Sequence, residues 1–439
     1  MSARGKLFQR FYSWHRYLGL FLALHLVLLI LTGMLLTLRD ELQSSDEVLA
    51  SESVRAESPK ISLDELVTRA KAKEPAGLPL AINFDDDNPD RLTVRLGKDG
   101  SPLFRGSSKH NFDRFTGEIP THAPAGGFWD FILRFHREFL LGFYGKLYVG
   151  LIGFLLLVSL VSGVYLYAPT SLRRSFGSIR RNRLTFTLSD IHKLFGMTVF
   201  VWLLLIGFTG TMLATSGQLL KLYQYTELNA LKAQFSSSPV KDPISVDTAF
   251  AAAISEAPDK EVAFITFPAT EFSTTGHYIF VLNGKEGFDK YLSEIVLIDA
   301  RDGSRATTRQ LPWYLKAALL SEPLHFGNYG GLPLKLIWVG FSLLALVLTI
   351  SGPALWYMRK RKVKGPDKIK SGVTRSSENK YLYPVPIGTL ILGGSLLAIS
   401  SNPWIDRIAC LLLLIPLFII VQKLFAASDY SHRSNLRNR

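Results

Sequence analysis

The chain has 439 residues, 48% of them hydrophobic and 20% charged, with a formal charge of +14. A soluble chain of this length would divide into about three domains, but here the apolar residues gather in runs that soluble folds neither expose nor easily bury. The positive charge does not mark a nucleic-acid binder, because Lys and Arg lie in short stretches beside those runs, and the single cysteine, Cys410, excludes internal disulfides, a Cys-ligated iron–sulfur cluster and covalent C-x-x-C-H haem.

In chain order, the segment 1–38 holds a first apolar run at 17–38. It is longer than a signal-peptide core and runs into Arg39-Asp40-Glu41 without a cleavage site, so it predicts a signal anchor. A long loop, 39–146, leads to a span at 147–168, a short basic segment at 169–190 and a third span at 191–214, apolar over 194–214. A second long loop, 215–333, precedes a fourth span at 334–358, apolar over 336–358. Each of these four runs can cross the ~30 Å of bilayer hydrocarbon. A basic loop at 359–383 is followed by a hairpin at 384–422 and a tail at 423–439. The hairpin's two runs, 385–400 and 408–421, are short for spans, and Pro416 interrupts the second, so either two further spans or a re-entrant hairpin is predicted.

Positive residues set the orientation. Segments 1–16, 169–190, 359–383 and 423–439 carry 22 Lys and Arg against 4 acids; they are net +18 of a total of +14, which leaves the rest of the chain at −4. The basic segments therefore face the cytoplasm and both long loops face outward. With six spans both termini are cytoplasmic, and the expected location is a bacterial inner membrane.

The chain is internally duplicated. Trp14-His15-Arg16-Tyr17-Leu18-Gly19 opens the first span and Thr32-Gly33 closes it; Ile191-His192-Lys193-Leu194-Phe195-Gly196 and Thr209-Gly210 do the same for the third. His136 leads the second span to Ser162-Gly163, and His325 leads the fourth to Ser351-Gly352. The histidine-to-glycine spacing is 18 in the first pair and 27 in the second. The loops repeat too: Ile61-Ser62-Leu63-Asp64 matches Ile244-Ser245-Val246-Asp247, each opening a helical pattern, and the turn at Asp113 to Gly117 matches that at Asp299 to Gly303. The predicted fold is a mainly α membrane protein with a duplicated four-helix core, a C-terminal hairpin and two outward α+β modules, the copies related by an axis along the membrane normal.

Of nine histidines, four obey the repeat: His15 pairs with His192 and His136 with His325, each pair at one depth. Two imidazoles facing each other in a bundle core suit the axial positions of a non-covalent b-type haem, and two pairs predict two haems. Gly19 and Gly196, one turn beyond their histidines, would leave room for a porphyrin, and the glycines at the span ends read as close helix packing. His25, mid-span, aligns with Trp202 and is a secondary candidate: a histidine bonded to a neighbour, a propionate partner, a replacement ligand or a proton relay. No dinucleotide fingerprint, phosphate loop or H-E-x-x-H is present. The cytoplasmic loops are too short for a flavin or nicotinamide domain, so a cytoplasmic or quinol electron donor is expected.

The W-H-R-x-L-G opening, the L-H-F-G-N-Y-G-G stretch before the fourth span, the T-G and S-G span ends and the D-x-x-T-G turn together resemble the PepSY-associated transmembrane helix family over about residues 10–362. That resemblance implies that the two loops are PepSY-like modules and places His15, His192, His136 and His325 on the family's histidine motifs. Members include inner-membrane ferric-siderophore reductases of the FoxB type, whose membrane haems pass electrons outward. The expectation is therefore a dihaem oxidoreductase that reduces periplasmic ferric-siderophores and releases Fe(II). The alternatives are a non-enzymatic PepSY scaffold that binds peptides or restrains proteases, and a b-type subunit of a separate periplasmic oxidoreductase.

Overall fold

The computed structural model describes residues 3–42, 59–85, 90–117, 127–171, 176–236, 238–255, 257–285, 287–361, 384–400 and 402–437. The basic loop expected at 359–383 lies outside them from position 362 on. In chain order the elements are α1 (Ala3–Thr37), α2 (Leu63–Lys73), β1 (Leu78–Phe84), β2 (Arg91–Gly97), β3 (Ser108–Asp113), α3 (Phe128–Glu138), α4 (Gly142–Ser171), α5 (Leu184–Thr198) and α6 (Phe200–Ala214). There follow α7 (Ser216–Tyr223), α8 (Val246–Ser255), β4 (Lys260–Thr266), β5 (His277–Gly284), β6 (Glu294–Asp299), β7 (Arg305–Gln310), α9 (Trp313–Phe326), α10 (Gly331–Arg361), α11 (Pro384–Leu397) and α12 (Pro403–Arg437). They form two compact units, one of membrane helices and one built from the two long loops.

In the membrane unit four helices are long and apolar enough to cross a bilayer: Gly5–Thr37, Gly142–Tyr167, Gly331–Arg361 and Pro403–Leu424. The consecutive helices α5 and α6 make a fifth when taken together. The third span, expected at 191–214, begins earlier, at Leu184, and bends by 62° at Val199. Thr198 donates its hydroxyl back to the Leu194 carbonyl at 2.9 Å, a contact that favours bending. The hairpin also departs from expectation: α12 runs unbroken through Pro416, whereas the apolar stretch Pro384–Ser400 is too short to count among the long helices. Helix α1 packs on α4 and α10, α4 on α6, and α10 on α5, while the hairpin lies against α5, α6 and α10. Lys335, buried at the start of α10, donates to Asp40 (3.0 Å) and Glu41 (2.9 Å) just past the end of α1.

In the other unit both loops contribute to a single seven-stranded antiparallel sheet, ordered β3-β2-β1-β4-β5-β6-β7. Two separate modules were expected; instead β1 and β4 pair and fuse them. The central pair is Ile82 with Ile265, two residues 183 apart, which is also the offset between Asp64 and Asp247. Those aspartates cap each other's helices. Asp247 accepts from the backbone N–H of Leu63 (3.0 Å) and Asp64 (2.9 Å), and Asp64 accepts from Val246 (3.0 Å) and Asp247 (3.3 Å). A local two-fold axis therefore relates the halves of this unit. Burial, then the hydrogen bond shared with Asp247, pushes the Asp64 carboxyl above the usual carboxylate range.

Leu63, Leu66 and Ala70 of α2 and Val246, Ala249 and Ala253 of α8 cover one face of the sheet, against Ile82, Val94, Ile265 and Phe280. Alternate residues point to the other face, where Ile279, Ile295 and Leu297 meet Tyr223, Leu228 and Leu231. The turns after β3 and β6 close on Gly117 and Gly303 at φ +72° and +77°, a conformation that favours glycine.

Candidate functional site

The membrane unit brings the four repeated histidines together as two pairs. His15 near the start of α1 faces His192 on α5, ring centroids 6.4 Å apart, and His136 on α3 faces His325 in the last turn of α9 at 6.3 Å. The spacing has a chemical meaning. A metal–imidazole bond is about 2 Å, and about 1.1 Å separates a ring nitrogen from its centroid, so two imidazoles on opposite sides of one metal ion stand about 6 Å apart between centroids. Among the described residues no cluster of three or more His, Cys, Asp or Glu could hold a metal ion; each pair offers two imidazole nitrogens. That set suits a group such as haem, whose remaining four ligands are its own.

Each imidazole is oriented by a hydroxyl on a neighbouring helix. Thr32 donates its proton to the Leu28 carbonyl at 2.8 Å, so its oxygen is left to accept from His136 Nδ1–H at 2.9 Å. Thr209 repeats this with the Leu205 carbonyl (2.7 Å) and His325 Nδ1 (3.0 Å), and Ser351 with the Leu348 carbonyl (2.8 Å) and His192 Nδ1 (2.8 Å). Ser162 donates to the Ser159 carbonyl at 2.7 Å, and His15 Nδ1–H donates to that carbonyl (3.0 Å) and to the Ser162 oxygen (3.1 Å). With Nδ1 carrying the proton in all four rings, the Nε2 lone pair is the free ligand atom.

The glycine after each hydroxyl residue makes room for the ring. A Cβ would stand 3.2 Å from His136 Cε1 at Gly33, 3.0 Å from His15 Cε1 at Gly163, 3.1 Å from His325 Cε1 at Gly210 and 3.6 Å from His192 Cε1 at Gly352. These span-end glycines, expected to pack helix on helix, instead receive imidazoles. A Cβ at Gly19 would meet no atom within 4 Å, whereas one at Gly196 would touch Leu348 at 3.4 Å.

The hydroxyls of Thr32, Thr209, Ser162 and Ser351 were not among the expected site residues. Their signal was present in the sequence, since all four span ends read hydroxyl residue then glycine. His25 belongs to neither pair: its Nδ1–H donates to the Phe21 carbonyl (2.9 Å) and its Nε2 accepts from the Tyr148 hydroxyl (2.7 Å). His110 and His277 lie in the sheet unit, beside Glu74 and Thr274.

The PepSY-associated TM region family matches residues 12–359, across both histidine pairs and the loops between them. The chain belongs to that family. An uncharacterized protein of Pseudomonas aeruginosa is 27% identical to this PepSY-associated chain over 308 residues, 64% of this chain and 76% of the relative. This family member is accordingly a multi-pass membrane protein.

Proposed function

We propose that this protein is a dihaem b-type oxidoreductase of a bacterial inner membrane that passes electrons outward to ferric-siderophores. The observation that carries the reading is the pair of imidazole pairs, each at the spacing of two axial ligands and each ring anchored through Nδ1. Haem, when bound, supplies a one-electron carrier at each site; His15 and His192 would hold one, His136 and His325 the other. The protein's own residues set the chemistry around it. The four hydroxyls fix the tautomer and raise ligand basicity, the four glycines let the rings lie against their helices, and the apolar helices keep the dielectric low. Gly33 lies 18 residues beyond His15 on α1, about 27 Å along the helix axis, so the two levels divide the bilayer between them.

In this reading the hairpin completes six spans, the termini are cytoplasmic, and the PepSY-like halves of the sheet unit lie in the periplasm. Family resemblance supports this acceptor class, and coordination chemistry is compatible with it: hard oxygen ligands bind Fe(III) far better than Fe(II), so one electron would release the metal. The test is reoxidation of dithionite-reduced protein by a ferric hydroxamate chelate under anaerobic conditions, with a ferrous chelator present. Reoxidation in step with Fe(II) formation is expected. A reduced spectrum that persists with every ferric chelate tried, with no Fe(II), would refute the reductase assignment.

A further inference from the structure

His25 and Tyr148 form a polar pair inside the membrane unit that neither imidazole pair uses. The pair is walled by aromatic rings: Phe21 stands 5.0 Å and Phe139 6.2 Å from the His25 ring, and Phe139 is 6.1 Å from Tyr148. Phe139 also meets Phe135 at 5.3 Å, and Phe135 adjoins His136 on α3. The flank is open, with Phe21 45%, Leu24 67% and Tyr144 78% exposed on apolar helices. In the second half the position equivalent to His25 holds Trp202, which is 3% exposed and shares a core with Ile387 and Ile391 of the hairpin. The hairpin therefore covers in one half what stays uncovered in the other.

A titratable pair within a span is costly to keep and points to function. A ligand suited to it arrives through lipid, presents a flat ring to Phe21 and Phe139, and carries a hydroxyl that donates to the Tyr148 oxygen, whose own proton is held by His25. Those requirements describe one chemical class. We propose that His25 and Tyr148 bind the head group of a membrane hydroquinone, the two-electron donor of the protein. The electron-transfer part rests on the dihaem reading; the binding part does not.

The balance is straightforward. Oxidation of the hydroquinone to the quinone breaks two O–H bonds and releases two electrons and two protons. Haem held at the two imidazole pairs would take up these two electrons, one at each pair. The first hydroxyl gives its proton to the Tyr148 oxygen as Tyr148 passes its own to His25 Nε2; both protons end in bulk water, the second following once the imidazolium has given up the first.

The test uses the purified full chain in detergent, with decylubiquinone and decylubiquinol as probes. Saturable decylubiquinone binding is expected, weakened at least tenfold by Tyr148→Phe, which keeps the ring, and by His25→Ala. Decylubiquinol should reduce the wild-type haem, and at least tenfold more slowly in both variants, while dithionite reduces all three proteins fully. Absent binding to the wild-type chain, or equal binding by both variants, overturns the site. Unchanged decylubiquinol reduction in the variants overturns it as well. A chain that binds decylubiquinone through these residues yet carries no haem supports the site and breaks the dihaem reading instead.

Discussion

The first and second halves of the membrane unit agree where the imidazoles meet and part company around them. In both, each histidine is bonded by a hydroxyl on a neighbouring helix and lies over the glycine that follows that hydroxyl residue. Around that shared frame, α1 is continuous whereas its counterpart is two helices bent by 62°. His25 has an open flank, whereas Trp202 is buried beside Trp338 and Phe341, at 6.4 and 5.8 Å between centroids. Among the described residues neither indole N–H has a hydrogen-bond partner. The comparison teaches which parts of a duplicated chain were bound to a common task. The imidazole–hydroxyl–glycine frame has kept its two-fold relation, and the lateral surfaces have diverged.

The largest expected effect tests the shared frame. His325→Ala should lower bound haem from two per chain to one, and so should His15→Ala, measured as pyridine haemochrome against protein. The double change His15→Ala with His192→Ala should cost no more than either alone, because one lost ligand already empties a pair. Loss of the same haem from His15→Ala and His136→Ala would show that the halves pair differently.

Next come the anchoring hydroxyls. Thr32→Val and Thr209→Val keep the side-chain shape but leave an imidazole N–H buried without an acceptor, and should weaken haem retention about 10–100-fold, equally in the two halves. Glycine changes should then divide the halves. Gly163→Ala places a Cβ 3.0 Å from His15 Cε1 and should cost several-fold in haem retention, whereas Gly352→Ala, at 3.6 Å from His192 Cε1, should be tolerated. The smallest effect lies in the sheet unit. Asp64→Ala and Asp247→Ala each strip two backbone N–H groups of their acceptor and should destabilise that unit by about 1 kcal/mol or a little more, seen as equal small drops in thermal midpoint. A large difference between them would mean that the caps are not reciprocal.

Much of this geometry was readable from spacing. The repeat of 18 and 27 residues put the histidines at matching depths, and the structure brings those positions face to face. The roles of Thr32, Thr209, Ser162 and Ser351 were written beside their glycines but could not be separated from helix packing, because a hydroxyl's partner across 104 to 159 residues is invisible to local pattern. The single sheet was hidden for a similar reason: Ile82 and Ile265 pair across the whole membrane segment between them, and two loops that each read as α+β carry no local sign of sharing an edge. Pro416 has an intrinsic propensity to break a helix, yet α12 passes through it, as helices in apolar surroundings can when neighbouring groups satisfy the freed carbonyl. The bend at Val199 falls one residue after the Thr198 back-bond and left no periodic trace.

Four paired histidines that hold two haems should give the protein a visible absorption of its own. The most direct test is the visible spectrum and haem content of the full chain purified from cells supplied with haem precursor. About two non-covalent haems per chain are expected, with the sharp reduced α-band of low-spin bis-histidine iron. A protein that folds, inserts and purifies without a Soret band would contradict the dihaem reading.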